Sequence, residues 1–234
     1  MWLRVLGSAA GGGSPQWNCG CPVCAAVRSG AGTARTQSSV AVTVDDRRWF
    51  LINASPDVRT QIEAAPALHP QDDRRTPVEA VLLTDAELDH TLGLLLLREG
   101  RTLRLYATAA VQKTLCDGSG VLRTLERYCA VEWRPTIPGV DVLLADGLSC
   151  RAFDVPTTKR DRFCDRSGHD ASTPRSARGG HPAPDQGGVD HGRVVGYRLT
   201  DDRSGGTLVY LPGVQALTPG RYTSVPPVRV SVSR

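Results

Sequence analysis

The stretch that most limits how this chain can fold is Leu82 to Leu92, LLTDAELDHTL, where an apolar run feeds directly into four metal- or proton-binding side chains. Val78 to Leu83 (VEAVLL) has the length and Val/Leu content of a buried strand and is too short for a typical helix. Asp85, Glu87, Asp89 and His90 follow within six residues, and Gly93 opens another apolar run, Leu94 to Leu97. On an extended loop the alternate positions 85, 87 and 89 point the same way, and His90 turns inward as a helix begins. The pattern predicts a strand delivering a cluster of oxygen donors and one imidazole to the rim of a sheet.

That spacing matches the metal loop HxHxDH of the metallo-β-lactamase superfamily, with Asp85 and Glu87 in place of the two leading histidines and Asp89 and His90 in the last two places. The wider context, T-x-A-x-L-D-H followed by GLLLLREG, resembles the pyrroloquinoline quinone biosynthesis protein B (PqqB) family. The N-terminus carries the same resemblance. Leu3 to Gly7 reads as a first strand, and a glycine-rich turn runs through PQWN into Cys19-Gly20-Cys21-Pro22-Val23-Cys24, similar to the family's GGG-x-PQWNC-x-C-x-x-C element. The match spans residues 1 to 155 and again 193 to 217.

Along the chain, Ser39 to Val44 and Trp49 to Asn53 flank a polar DDRR turn and read as a hairpin. Val58 to Ala64 has helical periodicity, with Ser55 or Asp57 available as a cap. Further on, helices are expected at Leu92 to Glu99, Ala109 to Cys116 and Val121 to Tyr128. Strands are expected at Leu103 to Ala107, Val140 to Leu144, Leu148 to Val155, Val194 to Leu199 and Thr207 to Leu211. Strands at both ends, interspersed helices and ligands on connecting loops fit an α/β (α+β) fold, the metallo-β-lactamase-like αββα sandwich. One such domain is expected over 1–217, with 157–192 as a long polar loop and 218–234 as a disordered tail, because both stretches lack the apolar residues to offset ordering entropy. Family members run on past this point, so the resemblance implies a C-terminal part that is truncated or divergent.

Seven cysteines include three in six residues, and C-x-C-x-x-C spacing points to metal thiolates rather than disulfides. Cys19, Cys21 and Cys24 are therefore expected to hold a structural zinc, with the turn left empty as the plain alternative. The resemblance implies a remote fourth ligand. Cys116, Cys129, Cys150 and Cys164 stand alone and read as ordinary packed thiols.

The second site is Asp85, Glu87, Asp89 and His90. A mixed carboxylate and imidazole set is more typical of non-haem iron or manganese than of zinc, which points to Fe(II) with positions open for dioxygen. This agrees with what the resemblance implies, an iron-dependent oxygenase that hydroxylates the tyrosine of a Glu-Tyr-derived precursor, with Asp89 and His90 as catalytic positions. Asp85 and Asp89 as caps of the next helix are the structural alternative. Asn53, Ser55 and Asp57, which the superfamily places on the same side as the ligand loop, are candidates for orienting substrate, with turn and cap roles for Ser55 and Asp57 as the alternative. Tyr210 to Gly213 stands where hydrolytic relatives have a bridging Asp, so a dinuclear zinc centre is not expected. His169, His181 and His191, in the polar loop, are weaker candidates for late ligands.

Two other functions stay open: a non-catalytic carrier moving the quinone or its precursor toward the periplasm, and a metal-dependent hydrolase of the same fold. A net charge of +4, with arginines scattered and no aromatic interleaving, gives nucleic acid little support as a partner. No stretch approaches the ~20 apolar residues of a membrane span, and the N-terminus is too short in apolar residues for a signal peptide, so a cytoplasmic location is expected. Expected partners are the dipeptide-like precursor, other proteins of the same pathway and a second copy of the chain.

Overall fold

The computed structural model describes residues 1–73, 75–157, Phe163 and 191–212. The expected tail at 218–234 and most of the expected loop at 157–192, with His169, His181 and Cys164, lie outside the described residues.

Among the described residues, ten strands form two sheets. The first has six in the order β1 (Trp2–Gly7), β2 (Ser39–Thr43), β3 (Trp49–Ile52), β4 (Val78–Leu82), β5 (Thr102–Ala107) and β6 (Ala130–Pro135). β1, β2 and β3 pair antiparallel, while β3 through β6 are parallel. The second sheet is antiparallel, ordered β10 (Thr207–Tyr210), β9 (Val195–Asp201), β8 (Leu148–Asp154), β7 (Asp141–Ala145).

Alternation along the strands divides the apolar residues into two cores. Val42, Phe50, Ile52, Ala80 and Leu82 face the second sheet and pack on Leu148, Cys150, Tyr197 and Leu199. Ala41, Leu51, Val81 and Leu105 face the other way, onto the helical layer with Val58, Leu94, Val111, Leu115 and Leu122. β2, β3 and the inner half of β4 are buried on both faces, which is why they read as continuous apolar runs. The architecture is the expected metallo-β-lactamase-like one. Helix, sheet and sheet layers are present, and no helix covers the outer face of the second sheet among the described residues.

The hairpin and most strands fall within a residue or two of their expected places, but three elements differ. β6 was not expected: AVEWRP carries charges that pair across strands, Glu132 with Arg104 of β5, rather than an apolar alternation. Leu92 to Glu99 is not an α-helix. A four-residue helix, α3 (Leu88–Thr91), passes into a 3-10 segment, Leu92–Leu97. The cause is β3: Ala54 N donates to the His90 carbonyl and Gly93 N donates to the Ala54 carbonyl, so two groups of the helical ladder are committed to another element. Ala109 to Cys116 likewise splits into α4 (Ala109–Lys113) and a π-turn, Thr114–Gly118.

The start of the first strand is tied down. The Met1 amine donates to Asp201 Oδ2 at 2.7 Å, joining β1 to the end of β9, and both groups are nearly buried. No helix among the described residues is long and apolar enough to cross a membrane.

Candidate metal centre

The parallel order β3-β4-β5 brings the C-terminal ends of three strands together, and the loops leaving them form one rim. β4 delivers Leu83 to His90 to this rim. β9 closes over it: Val195 N donates to the Thr84 carbonyl at 2.8 Å, and the buried Tyr197 hydroxyl donates to the Leu83 carbonyl at 2.9 Å.

The expectation that Asp85, Glu87 and Asp89 share one direction on an extended loop is corrected. Asp89 and His90 lie within α3, so the two-residue repeat ends at Glu87. The carboxylates stand on different sides of the imidazole. His90 Nδ1 is 2.8 and 2.9 Å from the two Asp85 oxygens, while Nε2 is on the Asp89 side, 3.9 Å from Oδ2. Asp85 also accepts from Glu87 N and from Thr84 Oγ1. Burial opposes charge on Asp85, yet His90, the Glu87 amide and the Thr84 hydroxyl outweigh it and hold the carboxyl below the usual range.

This chain of contacts begins one strand away. Asn53, fully buried at φ +65°, accepts at Oδ1 from the Thr84 amide, and the Thr84 hydroxyl oxygen, whose hydrogen goes to Asp85, lies 3.1 Å from the same Oδ1. Asn53 therefore sets Thr84, Thr84 and the Glu87 amide set Asp85, and Asp85 sets the ring of His90. An acceptor at Nδ1 places the proton there and leaves Nε2 as the basic nitrogen, the usual arrangement for a ligating histidine. The sequence offers Asn53 only as a candidate for orienting substrate and gives no sign of Thr84; their part in holding Asp85 follows from the contact between β3 and β4.

The other substrate candidates sit deeper or farther along. Ser55 is buried and donates to Gln61 Oε1 at 3.2 Å. Asp57 precedes α2 (Val58–Glu63) but caps it with no side-chain bond; its carboxylate accepts from Gln37 N instead. Asp57 and Gln37 line a cavity of about 330 Å³ with Gly12, Gly13, Arg35 and Pro56. The glycine loop also approaches the rim, since a Cβ at Gly11 would lie 2.9 Å from Asp89 Oδ2. His191 is exposed, with Nδ1 3.0 Å from Asp154 Oδ2.

Among the described residues, the one group of three or more ligand side chains whose atoms all lie within 4.8 Å of one another is Cys19, Cys21 and Cys24. Pro22 begins α1 (Pro22–Arg28) at its first turn, Cys21 is the extended residue before it and Cys24 is one turn in. Arg28, at the end of the same helix, donates to the carbonyls of Gln16, Trp17 and Cys19 and so ties the turn that enters the cluster to the helix that leaves it. The Cys24 amide and the neighbouring thiols lower Cys21 to about 7. At Cys24 the Gln16 amide favours the thiolate, but burial and the other two thiols push it up. Tetrahedral zinc with Zn–S bonds of ~2.3 Å holds its sulfurs about 3.8 Å apart, and the three sulfurs here all lie within 4.8 Å of one another. Asp85, Glu87, Asp89 and His90 do not form such a group: His90 Nε2 and Asp89 Oδ2 lie 3.9 Å apart, and Asp85 is on the Nδ1 side of the ring.

A family model described as a Beta-lactamase superfamily domain matches residues 48–232. Coenzyme PQQ synthesis protein B of Azoarcus sp. (strain BH72) is 42% identical over 225 residues, covering 94% of this chain and 67% of the relative. The protein of that name from Pseudomonas paraeruginosa (strain DSM 24068 / PA7) is 41% identical, with 92% and 66% covered. The crystal structure of Zn2+-bound PqqB from Methylobacterium extorquens superposes with a TM-score of 0.74 at 36% identity, covering 93% of this chain and 67% of that one. A diphosphatase from the PhnP family follows with a TM-score of 0.51 and 25% identity over 65% of this chain and 56% of its own. The chain thus spans about two thirds of the length of the curated relatives it matches. On this sequence similarity and the shared architecture, the chain belongs to the coenzyme PQQ synthesis protein B family within the beta-lactamase superfamily.

Proposed function

We propose that this chain acts in the biosynthesis of pyrroloquinoline quinone, with a structural zinc on Cys19, Cys21 and Cys24 and a working metal held at His90 Nε2 and Asp89. The reading rests on the contact between Asp85 and His90. A buried carboxylate committed to Nδ1 is what a ligating histidine requires, and it makes Asp85 a positioning residue rather than a ligand. Glu87 contributes its backbone N–H to Asp85. Asp89, at the start of α3 and partly exposed, presents its carboxylate on the Nε2 side.

With one imidazole and carboxylate donors, iron(II) is the ion we assign to this place, and when bound it supplies dioxygen activation for hydroxylation of a phenol ring. The residues of the chain orient the ligand side of His90, hold its proton on Nδ1, and exclude water behind it with Leu82, Leu83 and Tyr197, all fully buried. Asn53, Ser55 and Asp57 then divide: Asn53 borders the rim, Ser55 supports Gln61, and Asp57 faces the neighbouring cavity. The substrate class is the tyrosine-containing precursor, and the partners are the proteins of the same pathway.

The test is metal content and oxygen incorporation. Protein purified without added metal is analysed for zinc and iron, then given Fe(II) and a Glu-Tyr-like precursor under air. A mass gain of one oxygen, abolished by His90→Ala with zinc content unchanged, supports the oxygenase. Turnover of a chromogenic phosphodiester with zinc instead selects a hydrolase, and quinone binding without turnover selects a carrier.

A further inference from the structure

The cavity beside the rim has walls whose polar atoms are not all satisfied within the protein. Gln37 donates from Nε2 to the Gly11 carbonyl, a group that can only accept, so the orientation of its side-chain amide is settled. Oε1 is then the acceptor, and this buried oxygen has no hydrogen-bond partner. Asp57, half-buried, accepts the Gln37 backbone N–H at Oδ2, 2.9 Å away, and its Oδ1 has no donor among the described residues. Two adjoining acceptors, one of them a carboxylate oxygen, thus line the cavity without donors.

The support behind them is fixed. The buried Gln61 amide donates to the Gln37 carbonyl at 2.7 Å and to Thr36 Oγ1 at 3.1 Å, and Ser55 donates to Gln61 Oε1. Gly13 leaves the space open, since a Cβ there would come no nearer than 3.9 Å to the Pro15 carbonyl oxygen and 4.0 Å to that of Arg35. The volume of about 330 Å³ suits a small ligand. Arg35 lines the same cavity, and its exposed guanidinium makes no ion pair among the described residues, with Asp57 or any other. A carboxylate and a guanidinium that share a cavity without closing on each other match a ligand that carries both charges.

We propose that this cavity binds a zwitterionic ligand of dipeptide size, its ammonium on Asp57 and Gln37 Oε1 and its carboxylate on Arg35. Gly11, next to the cavity, packs against Asp89, where a Cβ would lie 2.9 Å from Oδ2, so a ligand held here borders the rim. That the bound ligand is the one acted on there rests on the metal assignment at His90; binding in the cavity uses no metal.

The experiment follows the Gln37 backbone amide, which sits on the Asp57 carboxylate, by 15N-correlated NMR of protein with zinc on the thiols and no iron. The probes are diglycine, with both charges, glycinamide, with the ammonium alone, and N-acetylglycine, with the carboxylate alone. A saturable shift with diglycine is expected, with weaker binding of glycinamide and none of N-acetylglycine. Asp57→Asn, which keeps an acceptor for the Gln37 amide, should weaken diglycine roughly ten- to hundredfold, the range for a hydrogen bond to a charged group. Arg35→Gln, on the exposed surface, should weaken diglycine about two- to fivefold and leave glycinamide unchanged, while the exposed Arg127→Gln alters neither. No shift with any probe overturns the proposal, as does N-acetylglycine binding as tightly as diglycine, or full diglycine affinity in either Asp57→Asn or Arg35→Gln. If diglycine binds as expected and the iron-loaded protein incorporates no oxygen, the oxygenase reading fails and the recognition site stands.

Discussion

His90 Nδ1 stands 2.8 Å from Asp85 Oδ1 and 2.9 Å from Oδ2, and Asp85 is held in turn by Thr84 Oγ1 and Glu87 N. The residue in the place of the first loop histidine thereby serves the last one. Its value lies in orientation, and that sets a first expectation. Asp85→Asn keeps the size of the side chain but loses its charge and one acceptor, so affinity for the metal at His90 falls about 10–100-fold. Cobalt(II) titration followed by visible absorption measures it, with zinc on the thiols pre-loaded. An unchanged affinity would show that the contact does not position a ligand.

The thiols differ in reactivity. Cys21, lowered to about 7, is substantially thiolate at neutral pH, whereas Cys150, buried in the inter-sheet core, is pushed up to about 12. In zinc-stripped protein, iodoacetamide is expected to label Cys21 with a rate that rises through about pH 7, and Cys150 not at all while the fold is intact. Zinc should protect all of Cys19, Cys21 and Cys24. Peptide mapping that finds equal labelling with and without zinc would refute the site.

Asp201 links β9 to the chain terminus. The Met1 amine and the Ser204 hydroxyl hold its carboxyl well below the usual range. A depressed carboxylate contributes stability above its unfolded pKa of ~3.9, and that contribution fades as pH falls toward the folded value. Asp201→Asn should therefore cost about 3 kcal/mol at pH 7, as for a nearly buried pair losing one partner. The difference in Tm between variant and parent should shrink on acidification below about pH 4. A pH-independent difference would assign the loss to packing or to the turn at Arg203 and Ser204.

Gly93 is where β3 meets the helical layer. A Cβ there would lie 2.1 Å from the Ser55 carbonyl oxygen and 2.7 Å from that of Ala54, both rigid backbone atoms. Gly93→Ala is expected to destabilise by about 3 kcal/mol and to weaken metal binding at His90, whose carbonyl receives Ala54 N in the same contact. Chemical denaturation and the cobalt titration read the two effects. A stable variant with unaltered affinity would mean that this crossing does not locate α3.

Much of the architecture is legible in the sequence. Apolar runs at Ser39 to Val44, Trp49 to Asn53 and Val78 to Leu83 marked the central strands because each must be buried on one or both faces. C-x-C-x-x-C marked the thiol cluster because its members are local, and a turn of helix suffices to gather them. The ends of elements were less legible. α3 gives way to a 3-10 segment through bonds to Ala54, 36 residues from His90 in sequence, and β6 pairs with β5 along its length while carrying charges, with Glu132 bonded to Arg104 of β5, where an apolar alternation would have marked it.

The sequence by itself determined the donors and their order: Asp85, Glu87, Asp89 and His90 on one loop, with three thiols on another. Only the tertiary structure decided which does what. Side-chain periodicity predicts direction within one element, but the rim is built where β3 and β4 end and β9 begins. Thr84 is bonded by Asn53, Asp85 is turned onto Nδ1, and Asp89 is left on the other side of the ring, because backbone groups distant in sequence must find hydrogen-bond partners where the two sheets meet.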